Sequence, residues 1–491
     1  MKTRGLLQKV LLTMTVILAV HLICFSQNQE NPLKKEVKLN FSKSSLKVDG
    51  FGVNITPAQW NNGKLKPAID MLVDDLGATL FRFDCTGLAN WLDPGKRQSN
   101  GTWTESYLDS AYKSKVFLDA WGTFRYLNKK GIEPIFNVSG RIHPGLGKSR
   151  EPNTLADFDG YAEMVITMLL WAREKEGLKF SLLAPFNETD LGFPEGPKID
   201  GNNMLIATRS ILKKLDAHGL ADINIIAVDD AGPKLDKLEA VLSDSSYVNR
   251  IHAFGSHTYG NGDIGENEAW FGAMTDYAKF SDKIKSSPFK NASVWMTEYG
   301  DLDQTGEIEY EFAWRSTRRL MKSFRDGFNA ALAWDAFDNF HEHDTAWCVY
   351  GLLKTDTVNW KYTPKKRYFA AKQVYKFVKP GWKMIEVETP QPKEFDVYKT
   401  WHDSFRHIRI QAFVSPEGND FTVVIMNGIE SNIDMTINLD DINNGALSKN
   451  VKHYVTEKTI NCNLEESTKV ENKKVRILLP ANSISTITTL K

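Results

Sequence analysis

The chain has 491 residues, more than one compact domain of ordinary size holds, so one large domain and a smaller one are expected, with ample material for a core. Lys+Arg and Asp+Glu both number 61, which removes the net field that would favour nucleic acid or an anionic membrane surface as partner. Thirteen Trp and an aromatic fraction of 11% leave rings to spare, beyond those a core takes, for stacking on a neutral ligand.

Residues 1–26 have a basic start (Lys2, Arg4, Lys9), an apolar run from Val10 to Phe25 and a polar exit at Gln27, the layout of a secretory signal peptide. The mature protein is therefore expected to be secreted, periplasmic or at the cell surface. The apolar run falls short of the roughly 20 residues a membrane span needs, and no later run is long enough either. Ile23 stands where a small residue would precede a lipidated cysteine, so a lipid anchor at Cys24 is not expected. Cys85, Cys348 and Cys462 remain, an odd number without metal-ligand spacing, which points to free thiols and to no metal or other cofactor.

Residues 27–48 read as one or two half-buried strands. Residues 49–380 then alternate strand and helix. Strands are predicted at 50–55, 79–84, 133–138, 180–186, 224–229, 252–257, 294–298 and 330–336, and amphipathic helices at 65–76, 116–130, 156–176, 204–218, 234–242, 270–285, 310–324 and 364–378. Gly77, Gly131, Gly177, Gly219 and Gly327 follow five of these helices, where a left-handed cap is wanted, and Pro364 is expected in the first turn of the eighth. Eight such units predict a closed (β/α)8 barrel. An open dinucleotide-binding sheet lacks its Gly-x-Gly-x-x-Gly turn. The long stretches follow strands two, three, four and eight, and in a barrel these gather at one face. From 381 to 491 the helical stripes vanish and short alternating runs at 407–414, 421–426, 435–439, 453–456, 475–479 and 483–490 predict an antiparallel β-sandwich, with the N-terminal strands joining it.

Two predicted strands end on glutamate, Glu188 after an apolar run and Asn187, and Glu298 after another apolar run. Cleaving an acetal needs one carboxylic acid to protonate the departing oxygen and one carboxylate to attack or to activate water, and strands four and seven bring such a pair to one barrel face. With Asn187 beside Glu188, the pattern resembles clan A glycoside hydrolases. The layout of strand segment, barrel and terminal sandwich is most similar to glycoside hydrolase family 30. The resemblance covers nearly all of the mature chain and implies a retaining β-glycosidase acting on a plant or algal polysaccharide, or its oligosaccharides, by double displacement. It makes Glu188 the acid/base, protonated at the outset, and Glu298 the nucleophile. Asn187 would bind the sugar 2-hydroxyl. Arg82, an unusual residue inside an apolar strand, would lie beside Glu298 and keep it ionised.

His257 and Tyr259 share a face if strand six runs through them, with the Tyr hydroxyl within reach of Glu298. Trp334 resembles the clan's tryptophan floor beneath the sugar. Among loop aromatics, Trp91, Trp103, Phe193, Trp270, Trp347 and Trp360 are candidates for ring stacking, Trp91 and Trp270 foremost. Arg141, His143, Lys148 and Arg150 form a basic cluster best read as a solvated loop. Asp301 to Gly306 begins like a calcium loop but reaches Phe312 where a glutamate is required, and His341 to Asp344 lacks a third ligand. Thr189 follows Glu188 in place of the proline common in family 30, which leaves the subfamily open. The alternative is a non-catalytic glycan-binding protein on a degenerate barrel, against which the full set of site residues weighs. A serine esterase would lack its Gly-x-Ser-x-Gly elbow. A monomer is expected.

Overall fold

The computed structural model describes residues 31–56, 59–83, 90–192, 194–260, 274–301, 309–338, 350–356, 358–390, 408–440, 442 and 449–490. The leader, Cys85, Cys348 and both metal-like stretches beyond Asp301 lie outside them. No helix among the described residues is long and apolar enough to cross a membrane.

Eight parallel strands close into a barrel in sequence order: Gly50–Ile55, Leu80–Phe83, Ile135–Asn137, Leu182–Ala184, Asn224–Asp230, Ile251–Gly260, Ser293–Asp301 and Ala330–Ala333. Ala330 pairs with Gly50 to complete the ring. Each expected strand is present, several of them shorter because the regular ladder stops where the chain bends into a loop. At one end the interior is filled by Ile135, Ala184, Ile226, Ala253, Trp295, Ala330 and Leu332, a plug of apolar side chains from alternating positions.

The helices cover the outside. The first runs as Lys66–Asp70 and widens into a π-helical turn over Met71–Leu76, burying Ile69, Leu72 and Leu76 against the barrel. Each of the five helix-terminating glycines has the left-handed backbone its position requires. Pro364 departs from expectation: it closes a hairpin, Leu353–Asp356 with Lys361–Pro364, and the eighth helix starts only at Lys366. At a strand's end its missing N–H is equally harmless, so the residue type does not distinguish the two places. The loop after the second strand also carries an unforeseen helix, Glu105–Tyr112, capped by the Thr104 hydroxyl accepting from the Tyr107 N–H.

Apart from a short pairing of Gly147–Lys148 with Glu151–Leu155 in the third loop, the remaining described strands form one nine-stranded, mostly antiparallel sheet that curls over an apolar core as a β-sandwich. The amino-terminal segment is a single bulged strand, Leu33–Lys47, lying antiparallel to Lys383–Glu388 and parallel to Ile433–Asn438. Bulges between Asn40 and Leu46 explain why its pattern reads as two strands. Asn461–Lys469 escaped the sequence because it is an edge strand with mostly exposed residues, where no alternation is imposed. Barrel and sandwich are stitched by hydrogen bonds, among them Gln373 Nε2 to Thr456 Oγ1 (2.8 Å) and Lys366 Nζ to the Glu457 carbonyl (2.8 Å).

Candidate active site

At the end of the barrel opposite the apolar plug, the same ring of strands turns polar. Arg82 on the second strand is fully buried and reaches four oxygens. Its Nη1 donates to Glu298 Oε1 and to Asn54 Oδ1, both at 2.7 Å, and its Nη2 to Asn187 Oδ1 (2.6 Å) and Asp229 Oδ2 (3.1 Å). Tyr259 donates its hydroxyl to Glu298 Oε2. His257 Nδ1 lies 2.8 Å from Glu188 Oε1 and 3.3 Å from Glu298 Oε2, so one imidazole nitrogen faces both glutamates. Carboxylate oxygens of Glu188 and Glu298 approach within 4.8 Å of one another. Both side chains keep a sliver of exposure, 6% and 4% by residue, so a ligand in the mouth can touch them.

Two breaks in strand regularity aim these groups. Pairing of the sixth and seventh strands slips between Met296 and Glu298, which lets consecutive residues Thr297 and Glu298 both engage the interior instead of alternating. Pairing of the fifth and sixth slips between Val228 and Asp230, with Val228 (φ 72°) and Asp229 (φ 61°) in the left-handed region. Glu188 is left-handed too, at φ 42°. Such conformations cost non-glycine residues about 1–3 kcal/mol each and persist only where neighbours impose them. Here the Glu188 N–H donates to the Asp229 carbonyl (2.9 Å), Thr189 Oγ1 to Asp230 Oδ1 (2.7 Å), and the Ala231 N–H to Asp190 Oδ1 (3.2 Å). Lys237 ties off this seam at Thr189 (2.6 Å) and Asp230 (3.2 Å).

Burial pushes the Glu298 carboxyl above its ordinary range, against the pull of His257 and Arg82. Burial also opposes charge on His257, but Glu298, Asp229 and Glu188 together carry its basicity well above that of a free imidazole. For Asp229 burial is outweighed by Arg82 and His257, which bring it down to about 2. Its neighbour Asp230 goes the other way, up to about 7, because burial and Asp190 outweigh Lys237. Burial and the adjacent glutamates keep the Tyr259 hydroxyl protonated.

Glu188, Glu298, Asn187, Arg82, His257 and Tyr259 thus meet in one network. Asn187 has its carbonyl on Arg82 and one amide hydrogen on the Glu195 carbonyl (3.0 Å), which among the described residues leaves the second amide hydrogen for a ligand. Trp334 packs against Tyr259 and Tyr350 at the edge of the network. Trp91 is held in the wall of the second loop, its indole N–H on Tyr112 (3.1 Å) and its ring on Phe117. Trp103 is buried there with its N–H on the Asp93 carbonyl, while Trp360 sits on the hairpin rim under the Lys64 ammonium. Trp270, Phe193 and Trp347 lie outside the described residues. In the third loop Arg141, Lys148 and Arg150 face solvent and His143 caps a short turn. Asn54 and Asp229 were not singled out from the sequence. Asp229 had a usable signal, since an apolar run from Ile225 to Val228 ending on an acid has the same texture as those before Glu188 and Glu298.

Among the described residues, Glu188, His257 and Glu298 are the group with spacing for a metal ion. Arg82 and Tyr259 already occupy both oxygens of Glu298, and a guanidinium 2.7 Å away opposes a cation, so the trio fits proton chemistry better.

No family model matches the chain, and no curated protein matches it. Solved structures do. A GH30 endoxylanase from Clostridium papyrosolvens C71 superposes with a TM-score of 0.65 at 15% identity, covering 93% of this chain and 100% of that one. A conserved exported protein from Bacteroides fragilis gives 0.66 at 13% identity, over 92% and 100%. An endo-beta1,6-glucanase gives 0.63 at 13% identity, over 93% of each. The chain therefore shares the barrel-plus-sandwich layout of these structures over 92–93% of its length.

Proposed function

We propose that this protein is an exported retaining β-glycoside hydrolase that cleaves a plant or algal polysaccharide, or its oligosaccharides, through a covalent glycosyl-enzyme. The observation that carries this reading is that a carboxylate oxygen of Glu188 and one of Glu298 lie within 4.8 Å of each other. Retaining pairs stand roughly 5–5.5 Å apart, whereas inverting pairs need about 6.5–9.5 Å to admit a water. Glu298 attacks the anomeric carbon while Glu188 protonates the departing oxygen. Water activated by Glu188 then releases the sugar and restores Glu298. Arg82 and Tyr259 hold the nucleophile's oxygens in place, and the second amide hydrogen of Asn187 serves the 2-hydroxyl. The xylan and β-1,6-glucan specificities named for two fold neighbours favour a β-linked polysaccharide as substrate class. The working division of the chain is a leader over 1–26, sandwich strands over 27–48 and 381–491, and a catalytic barrel over 49–380.

The test is the anomer first formed from a β-glycoside substrate, read by proton NMR. Retention is expected, and Glu188→Ala should keep cleaving only substrates with good leaving groups. An inverted first product would overturn the mechanism.

A further inference from the structure

We propose that Asp229 is a positioning residue that fixes the Nε2 proton of His257, so that the Glu188–His257 pair stores the one proton the reaction needs. The proposal rests on the reading of Glu188 as acid/base. Asp229 is the extra residue of the bulge on the fifth strand, and its carboxylate is fully buried between two working groups. Oδ2 accepts from Arg82 Nη2 at 3.1 Å, and Oδ1 accepts from Thr297 Oγ1 and stands 3.4 Å from His257 Nε2, an electrostatic contact not aligned as a hydrogen bond. Gly255 on the neighbouring strand makes the room, since a Cβ there would stand 2.5 Å from Asp229 Oδ1.

The consequence is a matter of counting protons. A carboxylate facing Nε2 favours a proton on that nitrogen, which leaves Nδ1 to face Glu188 Oε1 at 2.8 Å. One further proton then sits in that contact, either on Glu188 beside a neutral imidazole or on Nδ1 beside a glutamate. Both descriptions contain the same number of protons. On glycosylation that proton leaves with the departing oxygen, and on deglycosylation the attacking water returns one. The Nε2 proton stays on Asp229's side throughout. Among the described residues, the charged and titratable groups facing His257 are Glu188 after the fourth strand, Asp229 from the fifth, Tyr259 from its own strand and Glu298 from the seventh. Those facing Asp229 are Arg82 and His257, and Tyr259 and Arg82 both lean on Glu298.

Two measurements test this. Imidazole 15N NMR of the whole protein should show His257 Nε2 protonated across neutral pH, and a bare Nε2 with the proton confined to Nδ1 would overturn the proposal. This readout needs no turnover, so it stands even if no glycoside is cleaved. In Asp229→Asn the amide can offer Nε2 a donor and one negative charge is lost. The alkaline limb of kcat/KM should then move to lower pH by about half a unit or more, because a proton near less negative charge leaves more easily. The maximum should fall ~10–100-fold, as for a misplaced catalytic group. A folded Asp229→Asn with the limb unmoved would mean the residue only braces the barrel, and would overturn the assignment. Gly255→Ala, which displaces the carboxylate without removing its charge, should lower kcat more than it raises KM. Unchanged kcat there would count against the proposal.

Discussion

The two ends of the barrel are made from the same strands and differ in almost every physical respect. At the closed end Ile226, Trp295 and Leu332 interlock without a charge among them. A few residues further along, the fifth and seventh strands carry Asp229 and Glu298 into a cluster that also buries Arg82, His257 and Glu188. Burying apolar groups stabilises the fold by about 25 cal/mol per Å2, whereas gathering five ionisable groups out of water is tolerable only because each is met by another. Regularity is broken most where the polar groups gather: the open end uses two register slips and three left-handed residues, while the plug strands slip once, between Ile225 and Ile226. Apolar packing thus fills one end of the barrel interior and paired ionisable groups the other.

That division can be attacked from both sides. The largest effect is expected for Glu298→Gln, which should lower kcat/KM by ~10^4-fold or more while the melting temperature moves by only a few degrees. If activity survived, the open end would not be where the chemistry lies. Next is Leu332→Ala in the plug, which should cost about 2–5 kcal/mol in urea unfolding and leave kcat unchanged at temperatures where the variant is folded. A large fall in kcat with stability intact would blur the two ends into one unit. A smaller effect extends the comparison to the sandwich, where His453 is buried beside Ser485 Oγ (3.0 Å) and burial lowers its pKa to about 4. The unfolded chain protonates this histidine near 6.5 and the folded one only near 4, so stability is fully present above pH 6.5 and declines as the pH falls toward 4. The loss amounts to about 3 kcal/mol at most. His453→Gln should flatten that decline in unfolding curves taken between pH 7.5 and 4.5, and an unchanged slope would show that the ring takes up its proton without resistance.

Much of this was legible in the chain. The eight βα units announced themselves through helical stripes such as Ile69, Leu72 and Leu76 and through glycines at helix ends, because periodicity and left-handed caps are local properties. Glu188, Glu298 and Arg82 stood out as polar residues in apolar strands. Asn54 and Asp229 did not, because their part is defined by partners: Asn54 accepts from Arg82 and donates to the Thr297 carbonyl, contacts that span distant strands. Bulges were equally invisible, since a slipped register is decided by the neighbouring strand. Edge strand Asn461–Lys469, facing water on most positions, had no reason to carry a pattern at all.

The amino-terminal strand has a further implication for how the protein comes into being. Its partners are far along the chain, Leu33 meeting Ile433 about 400 residues later, yet it occupies the inside of the sheet with a neighbour on each flank. Synthesis from the amino terminus would deliver first the segment that can pair last, and closing so large a loop is slow. In the interval its backbone donors and acceptors stand open to any other chain in the same condition. Lys34, Lys38, Lys43 and Lys47, set among its apolar positions, give such early chains like charges that repel one another, a safeguard needed only until the last third of the molecule arrives.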